Sequence, residues 1–306
     1  MNANRTSRFA VWAAFCAIVV GLFFHGVTYS EVGAIAGIGI PQHRVVYQLG
    51  ITEDPTPITT IWRKVSPNDA VHITLNPEGE ANGDGAPSVV SDAGSGLVAT
   101  AWSRNSQSGF DVVVSRFVND AWTIPQFVAD SSANELDPQL VLAPDGSVHL
   151  LYWVDGATPQ VFHKVAPSDL SSWSAPVLVS QPGVASCRPA GAFYDGMLRV
   201  AYEVHNFGSG NTPRQVVLAR LDGGAFITDV VAMTNNLGEV RPQVHGHAGR
   251  LWVDWVDHET TGGSGELAWT RLDAQGNWAA IQFEPFTNRE QRDYLVRGGA
   301  RLKAIE

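Results

Sequence analysis

Charge is scarce in this sequence. Asp, Glu, Lys and Arg together make up 16% of its 306 residues, against ~25% in an ordinary soluble domain. That excludes a disordered chain, a coiled coil and a charge-rich helical bundle, all of which depend on solvated charge. Basic charge is scarcer than acidic: 20 Lys and Arg against 30 Asp and Glu leave a net charge of −10. General nucleic-acid binding is excluded, because it needs a basic face to displace counterions from phosphates. Only two cysteines occur, Cys16 and Cys187. Cys16 lies in an apolar run near the amino end, so the rest of the chain carries no disulfide framework. Haem-attachment and zinc-spaced Cys/His motifs are missing. So are a phosphate-binding glycine loop, a serine nucleophile elbow and a dinucleotide fingerprint, and no cofactor is expected. What the chain has instead is 30 Gly, 10 Trp and 44% hydrophobic residues. That composition suits an all-β fold with many turns.

The amino end indicates the compartment. Arg5 and Arg8 precede a run from Phe9 to Phe24, 16 residues without a polar side chain. The apolar core of a signal peptide spans about 7–15 residues, and a membrane-spanning helix needs roughly 17–25. The run sits between the two. Residues 1–40 therefore read as a membrane anchor or signal segment with a linker, and 41–306 as one domain. The arginines place the amino end in the cytoplasm and the remainder on the periplasmic or extracytoplasmic side. Ala34-Ile35-Ala36 offers the small residues of a cleavage site, but ten residues beyond the run. Thr28-Tyr29-Ser30 is better placed and chemically poorer. A retained anchor and a cleaved, secreted product both stay open.

A repeat of about fifty residues fills the rest. Its first half reads APSVVSDAGSGLVATAW, DPQLVLAPDGSVHLLYW, RPAGAFYDGMLRVAY and RPQVHGHAGRLWVDW. Each copy has a proline (87, 138, 189, 242), a short strand, a turn glycine (96, 146, 196, 249) and an alternating strand ending in Trp102, Trp153, Tyr202 or Trp255. The second half carries a basic residue (Arg116, Lys164, Arg220, Arg271), a polar turn and a closing aromatic (Trp122, Trp173, Phe226, Trp278). Four antiparallel strands per copy, repeated, is the pattern of propeller blades. The ends carry complementary halves. PITTIWRKVSPNDAVHITL resembles a second half and FTNREQRDYLVRGGARLKAI a first half. The expectation is a five-bladed β-propeller, with four whole blades and one split between the two ends of the chain. Closing the ring would remove exposed sheet edges.

The second halves resemble a degraded form of the Asp box of sialidase-like propellers, Ser-x-Asp-x-Gly-x-Thr-Trp. Ser115 to Trp122 keeps the first and last positions and loses the Asp and Gly; Thr270 to Trp278 keeps the idea with one extra residue. The resemblance covers about Pro57 to Glu306. It implies the fold rather than an activity, since the box is a structural turn away from the catalytic face. Sialidases hold the carboxylate of their sugar with three arginines, and Arg188, Arg241 and Arg292 are loosely similar in placement. The family's Arg-Ile-Pro motif is absent, and Tyr202 and Glu203, being adjacent on a strand, face opposite ways and do not make its tyrosine–glutamate pair. Five-bladed folds also host arabinan- and fructan-cleaving families that use three acidic residues.

Propeller ligands bind where the loops into the innermost strands meet those joining strands two and three. Ala86, Asp137, Arg188, Arg241 and Arg292 occupy one repeat position there. Arginine forks suit carboxylate, phosphate or sulfate, so Arg188, Arg241 and Arg292 are the anion-binding candidates. The second loop set carries Ser103-Arg104-Asn105, Asp155, Glu203 with His205, and Asp257-His258-Glu259. Asp137, Glu203 and Asp257 are the catalytic candidates, since glycoside hydrolysis uses two carboxylates about 5–10 Å apart. His245 and His247, at i and i+2, share one face of a strand and begin a metal site without an evident third ligand. Cys187 beside Arg188 reads as a small buried side chain. Asn76 to Gly85 (NPEGEANGDG) lacks EF-hand spacing and reads as a connection.

Two functions follow from these residues. The leading expectation is a non-enzymatic, membrane-anchored propeller that holds together subunits of a membrane complex, respiratory or photosynthetic. Its alternative is a secreted or periplasmic glycan-active protein, either a glycosidase or a lectin-like binder. An anion- or peptide-binding sensor using only the arginines is a third reading.

Overall fold

The computed structural model describes residues 38–40, 43–51, 59–64, 88–92, 95–106, 109–119, 121–204, 214–233, 240–247, 249–257, 266–272 and 276–285. All of its regular elements are strands. Sheet I holds β4 (Ser88–Asp92), β5 (Leu97–Ser106), β6 (Gly109–Val118) and an outer strand in two pieces, β7 (Ala121–Trp122) and β8 (Gln126–Ala129). Sheet II holds β9 (Glu135–Leu142), β10 (Val148–Val154), β11 (Gln160–Ala166) and β12 (Val177–Leu178). Sheet III holds β13 (Ser186–Tyr194), β14 (Met197–Val204), β15 (Gln215–Asp222) and β16 (Ala225–Met233). Sheet IV holds β17 (Gln243–His247), β18 (Arg250–Asp257), β19 (Glu266–Leu272) and β20 (Gln282–Pro285). Each is an antiparallel meander in chain order, and the four together are consistent with propeller blades.

Before them lies a three-stranded sheet of β1 (Ile38–Ile40), β2 (His43–Ile51) and β3 (Thr59–Lys64). β3 falls within the expected orphan half-repeat. Its partner is β2, a strand the repeat pattern did not assign; Tyr47 pairs with Arg63 and Leu49 with Ile61. The apolar run at residues 9–24 and the carboxyl-terminal half-repeat at 286–306 lie outside the described residues. Among the described residues no helix is long and apolar enough to cross a membrane.

Local sequence sets the hairpins. The four turn glycines of the repeat, Gly96, Gly146, Gly196 and Gly249, all have φ between 68° and 85°, a region that a side chain disfavours. Asp92 and Asp145 cap the turns beside them. Asp92 accepts from the Ser95 N–H and hydroxyl at 3.0 and 2.6 Å, and Asp145 from those of Ser147 at 2.9 and 2.6 Å.

The prolines mark a second device. Gln139 pairs with Leu151 and Leu136 with Trp153, which leaves Asp137-Pro138 bulged opposite Tyr152. Arg188-Pro189 bulges in the same way opposite Tyr202. The Val256 N–H donates to the Val240 carbonyl at 2.9 Å, and Gln243 pairs with Asp254, so Arg241-Pro242 does so opposite Trp255. Proline has no N–H for a ladder, and a bulge requires none. The residue before each proline is left-handed, with φ of 47° at Asp137, 53° at Arg188 and 44° at Arg241. The register also corrects one alignment. Tyr152, not Trp153, occupies the place of Trp102, Tyr202 and Trp255, because the hairpin from Gln139 to its partner Leu151 is one residue shorter than that from Ser88 to its partner Ala101.

The core lies between sheets. Val148, Leu150 and Tyr152 face sheet I and pack with Ala99, Ala101, Val112 and Val114. Leu151 and Trp153 face sheet III and pack with Val200, Tyr202 and Val217. Ala201, Val216 and Leu218 meet Val244, Leu251 and Trp255. β9 contacts β4, β13 contacts β9, and β17 contacts β13, so the first strands of successive sheets adjoin. The closeness is visible at Gly191, where an added Cβ would lie 2.4 Å from Leu151 Cδ1 and 2.9 Å from Val141 Cγ2.

The Asp-box likeness survives as hydrogen bonds. The Ser115 hydroxyl donates to the Thr123 carbonyl at 2.7 Å, and the Thr270 hydroxyl to the Ala279 carbonyl at 2.8 Å. In each case the acceptor follows the closing tryptophan. The basic position of the repeat is structural too. Lys164 Nζ donates to the Val128 carbonyl at 2.5 Å, and the Arg271 guanidinium lies over the Trp252 ring.

One polar chain runs along sheet II and ends in two buried histidines at its interface with sheet III. Ser147 donates to Asp145, so its oxygen accepts from His149 Nε2–H at 3.3 Å. His149 Nδ1 then accepts from His163 Nε2–H at 2.7 Å. The rings stack, and Phe193 and Phe226 close them off edge-on. Burial pushes His163 down to about 4 and lowers His149 as well.

Two outcomes follow. Gly191→Val is expected to destabilise the fold by about 1–3 kcal/mol through overpacking, read as a lower urea midpoint with an unchanged slope. The unfolded chain protonates its histidines below about 6.5 while the folded pair stays neutral. Stability is therefore expected to fall as pH drops from 6.5 towards 4, and His163→Leu to flatten that dependence in unfolding curves taken across the window.

Candidate functional site

Glu203 is the centre of the site. It ends the inner hairpin of sheet III, opposite Cys187, and its side chain is fully buried. An isolated buried carboxylate costs several kcal/mol, and here every partner is a donor. Oε1 accepts from Arg188 Nη1 at 2.7 Å, from Arg214 Nη1 and from the Cys187 thiol at 3.3 Å. Oε2 accepts from the backbone N–H of Val240 at 2.8 Å and of Arg241 at 3.2 Å. Burial alone would raise the Glu203 carboxyl. The two guanidinium groups and the two backbone N–H groups outweigh it and hold the carboxyl below its ordinary range. Burial and the neighbouring Glu203 push the Cys187 thiol well up, so it is a neutral donor.

These contacts join four segments. Arg188 comes from the left-handed bulge in β13, Glu203 from the end of β14, Arg214 from the residue before β15, and Val240-Arg241 from the approach to β17. Glu203 thereby ties sheet III to sheet IV and presents two arginines whose side chains are 19% and 15% exposed. An ionised, fully bonded glutamate is suited to orienting cations. It has no proton to give.

The other candidates are placed as follows. Asp137 occupies the equivalent bulge in sheet II, where its Oδ2 accepts from the Trp153 indole N–H at 2.8 Å, and its charge reaches Cys187. Arg188 and Glu203 are brought together, and Arg241 joins them through its backbone. Asp257 ends β18 opposite Glu266; its side chain, with Arg292 and His205, lies outside the described residues. His245 Nδ1 lies 3.4 Å from Asp254 Oδ1, and burial raises that carboxyl to about 7. The His247 side chain is outside the described residues, and among those described no group of three His, Cys, Asp or Glu side chains is arranged to hold a metal ion.

Two groups had escaped the sequence reading. Arg214 breaks no pattern, although RQVVLAR does open a strand with a basic residue. Glu135, two residues before Asp137, is buried and accepts from the Ser131 N–H at 3.0 Å and from its hydroxyl. Burial raises its carboxyl, with Asp111 and Asp130 adding to the effect.

No family model and no curated protein matches the chain. Solved structures do match at the level of fold. An α-L-arabinanase from Penicillium chrysogenum, complexed with arabinobiose, is 15% identical, with a TM-score of 0.53 over 85% of this chain and 86% of that one. A polysaccharide lyase, an ulvan lyase bound to a GlcA–Rha3S saccharide, is 12% identical, with a TM-score of 0.52 over 83% and 73%. The Trypanosoma rangeli sialidase is 13% identical, with a TM-score of 0.48 over 77% and 42%. At the level of fold the chain is thus similar to an arabinanase and to a polysaccharide lyase, without a sequence-family match.

Removing the Glu203 charge leaves two guanidinium groups facing each other in a buried site. Glu203→Gln is expected to cost about 3–5 kcal/mol, measured by chemical denaturation at neutral pH. The depressed carboxyl contributes stability that is complete above its unfolded value of about 4.5 and is lost as pH falls below it. The variant's deficit should therefore shrink in acid.

Proposed function

We propose that the chain is a glycan-active protein that recognises an acidic saccharide at the mouth end of sheets III and IV. The observation that carries this reading is the Glu203 clasp. One buried anion fixes Arg188 and Arg214 and holds the backbone of Arg241 beside them. Guanidinium forks held in this way suit a ligand carboxylate or sulfate. The left-handed φ at Arg188 and Arg241 costs of order 1–3 kcal/mol each and aims both residues from equivalent bulges. The fold-level neighbours include proteins bound to arabinobiose and to a glucuronate-containing saccharide, which makes glycan the leading ligand class.

Recognition, rather than hydrolysis by Glu203, is the chemistry this cluster supports, because the carboxyl is held ionised and spent on its donors. Ring closure as a five-bladed propeller, with residues 286–306 supplying the inner strands of a split blade and Arg292 a further arginine at the mouth, belongs to the same proposal. The membrane-scaffold reading rests on residues 9–24. It is tested separately, by detergent extraction and mass spectrometry of the intact chain with its co-purifying subunits.

Titration calorimetry of the full chain with uronate-bearing oligosaccharides, and with neutral ones of equal length, tests the reading. Binding of the acidic series is expected to weaken as salt rises. Arg188→Lys should lose about tenfold or more in affinity, because a point charge replaces a planar fork. Equal affinity for neutral and acidic series, or no effect of Arg188→Lys, would reject it.

A further inference from the structure

A second site lies away from the mouth, at the opposite end of sheets I and II, and it arises from an irregularity in the repeat. Nine residues separate the basic position from the closing aromatic in sheet II, Lys164 to Trp173, against six, six and seven in the other sheets. The neck of this longer turn is closed by two bonds between Val165 and Ser174, the Ser174 N–H to the Val165 carbonyl at 2.9 Å and the Val165 N–H to Ser174 Oγ at 3.1 Å. The excess chain leans on sheet I. Leu170 is buried in the core between the two sheets, and Trp173 packs against that core. Leu170 is also left-handed, with φ 52°, an arrangement that survives only where the surroundings enforce it. Arg116 of β6 reaches across and donates to the Asp169 carbonyl.

Between the turn and sheet I is a cavity of about 200 Å³, lined on its polar side by Arg116, Thr123, Gln126, Asp169 and Ser171, and on its apolar side by Val114, Leu170 and Trp173. Drug-sized pockets run to about 300–1,000 Å³, so this one admits a single small ring. Its chemistry is specific in kind. The Asp169 carboxyl is held below its ordinary range by the Ser171 bonds and then by the Arg116 charge, so the cavity contains one anion and one cation and has no net preference for a charged ligand. A guanidinium, a carboxylate and an amide are planar groups that bond two adjacent hydroxyls at once. Trp173 beside them adds apolar surface of the kind that covers the C–H side of a sugar ring.

We propose that this cavity binds one neutral monosaccharide unit, as a glycan-anchoring site separate from the arginine mouth. The site does not depend on what the mouth recognises, because no residue is shared and the two lie on different sheets.

The test is saturation-transfer NMR of the full chain with L-arabinose, D-galactose, D-glucose and L-rhamnose, followed by titration with whichever gives a signal. Saturable binding of at least one is expected. Ser171→Trp, which fills the cavity from an exposed position, and Asp169→Asn, which removes the anion without touching the core, should each weaken it tenfold or more. Arg188→Lys at the mouth should leave it unchanged. The proposal is overturned if none of the four sugars binds, if binding survives Ser171→Trp, or if Arg188→Lys abolishes it. If acidic saccharides fail at the mouth while neutral sugars still bind here, the mouth reading falls and this one stands.

Discussion

Sheets II and III are each covered on both faces by neighbouring sheets, and that double covering governs the rest of the molecule. A strand with one wet face alternates apolar and polar residues. Here Val148, Leu150 and Tyr152 are claimed by one neighbour while Leu151 and Trp153 are claimed by the other. Charge has few places to go except turns, outer strands and strand ends, which is why it makes up so little of the sequence. Where charge does enter the interior, as at Glu203, it must bring its own donors. The site is then a consequence of how the interior tolerates an ion.

The same constraint explains the recurring left-handed residue before proline. In sheets II, III and IV the bulge interrupts the ladder at the end of the inner hairpin and re-aims one side chain while the strands continue to pack. In sheet II that side chain is Asp137, bonded to Trp153; in sheet III it is Arg188, bonded to Glu203. One backbone device thus serves a hydrogen bond to an indole in one place and an ion pair in another. The device belongs to the fold, and the identity of the residue placed on it sets the chemistry.

Much of this was legible beforehand. Steps between prolines and turn glycines gave the sheets and their hairpins, because those residues act locally through φ and a missing N–H. The pairing of Arg188 with Glu203 was less visible. Both residues were singled out, but as an anion-binding arginine and a catalytic acid, not as partners. Their contact depends on register across a hairpin with a bulge, and one skipped residue changes which side chains meet. Arg214 and Glu135 were missed for a related reason, since their roles come from burial, which no spacing reveals. The alignment of Trp153 with Tyr202 failed by one position because turn length varies while the pleat does not.

The outermost strands of sheets I and II are short or broken: β7 and β12 have two residues each and β8 four. A strand of that length offers an incoming chain too few unpaired amides to template association. β16 is the exception at nine residues, with Ile227 and Val230 exposed along it and Asp229 set among them, ion-paired to Arg220. A charge in the middle of an otherwise sticky rim interrupts the continuous apolar edge that fibre growth requires. Protection against self-assembly is thus supplied in two ways, by brevity on sheets I and II and by a single carboxylate on sheet III.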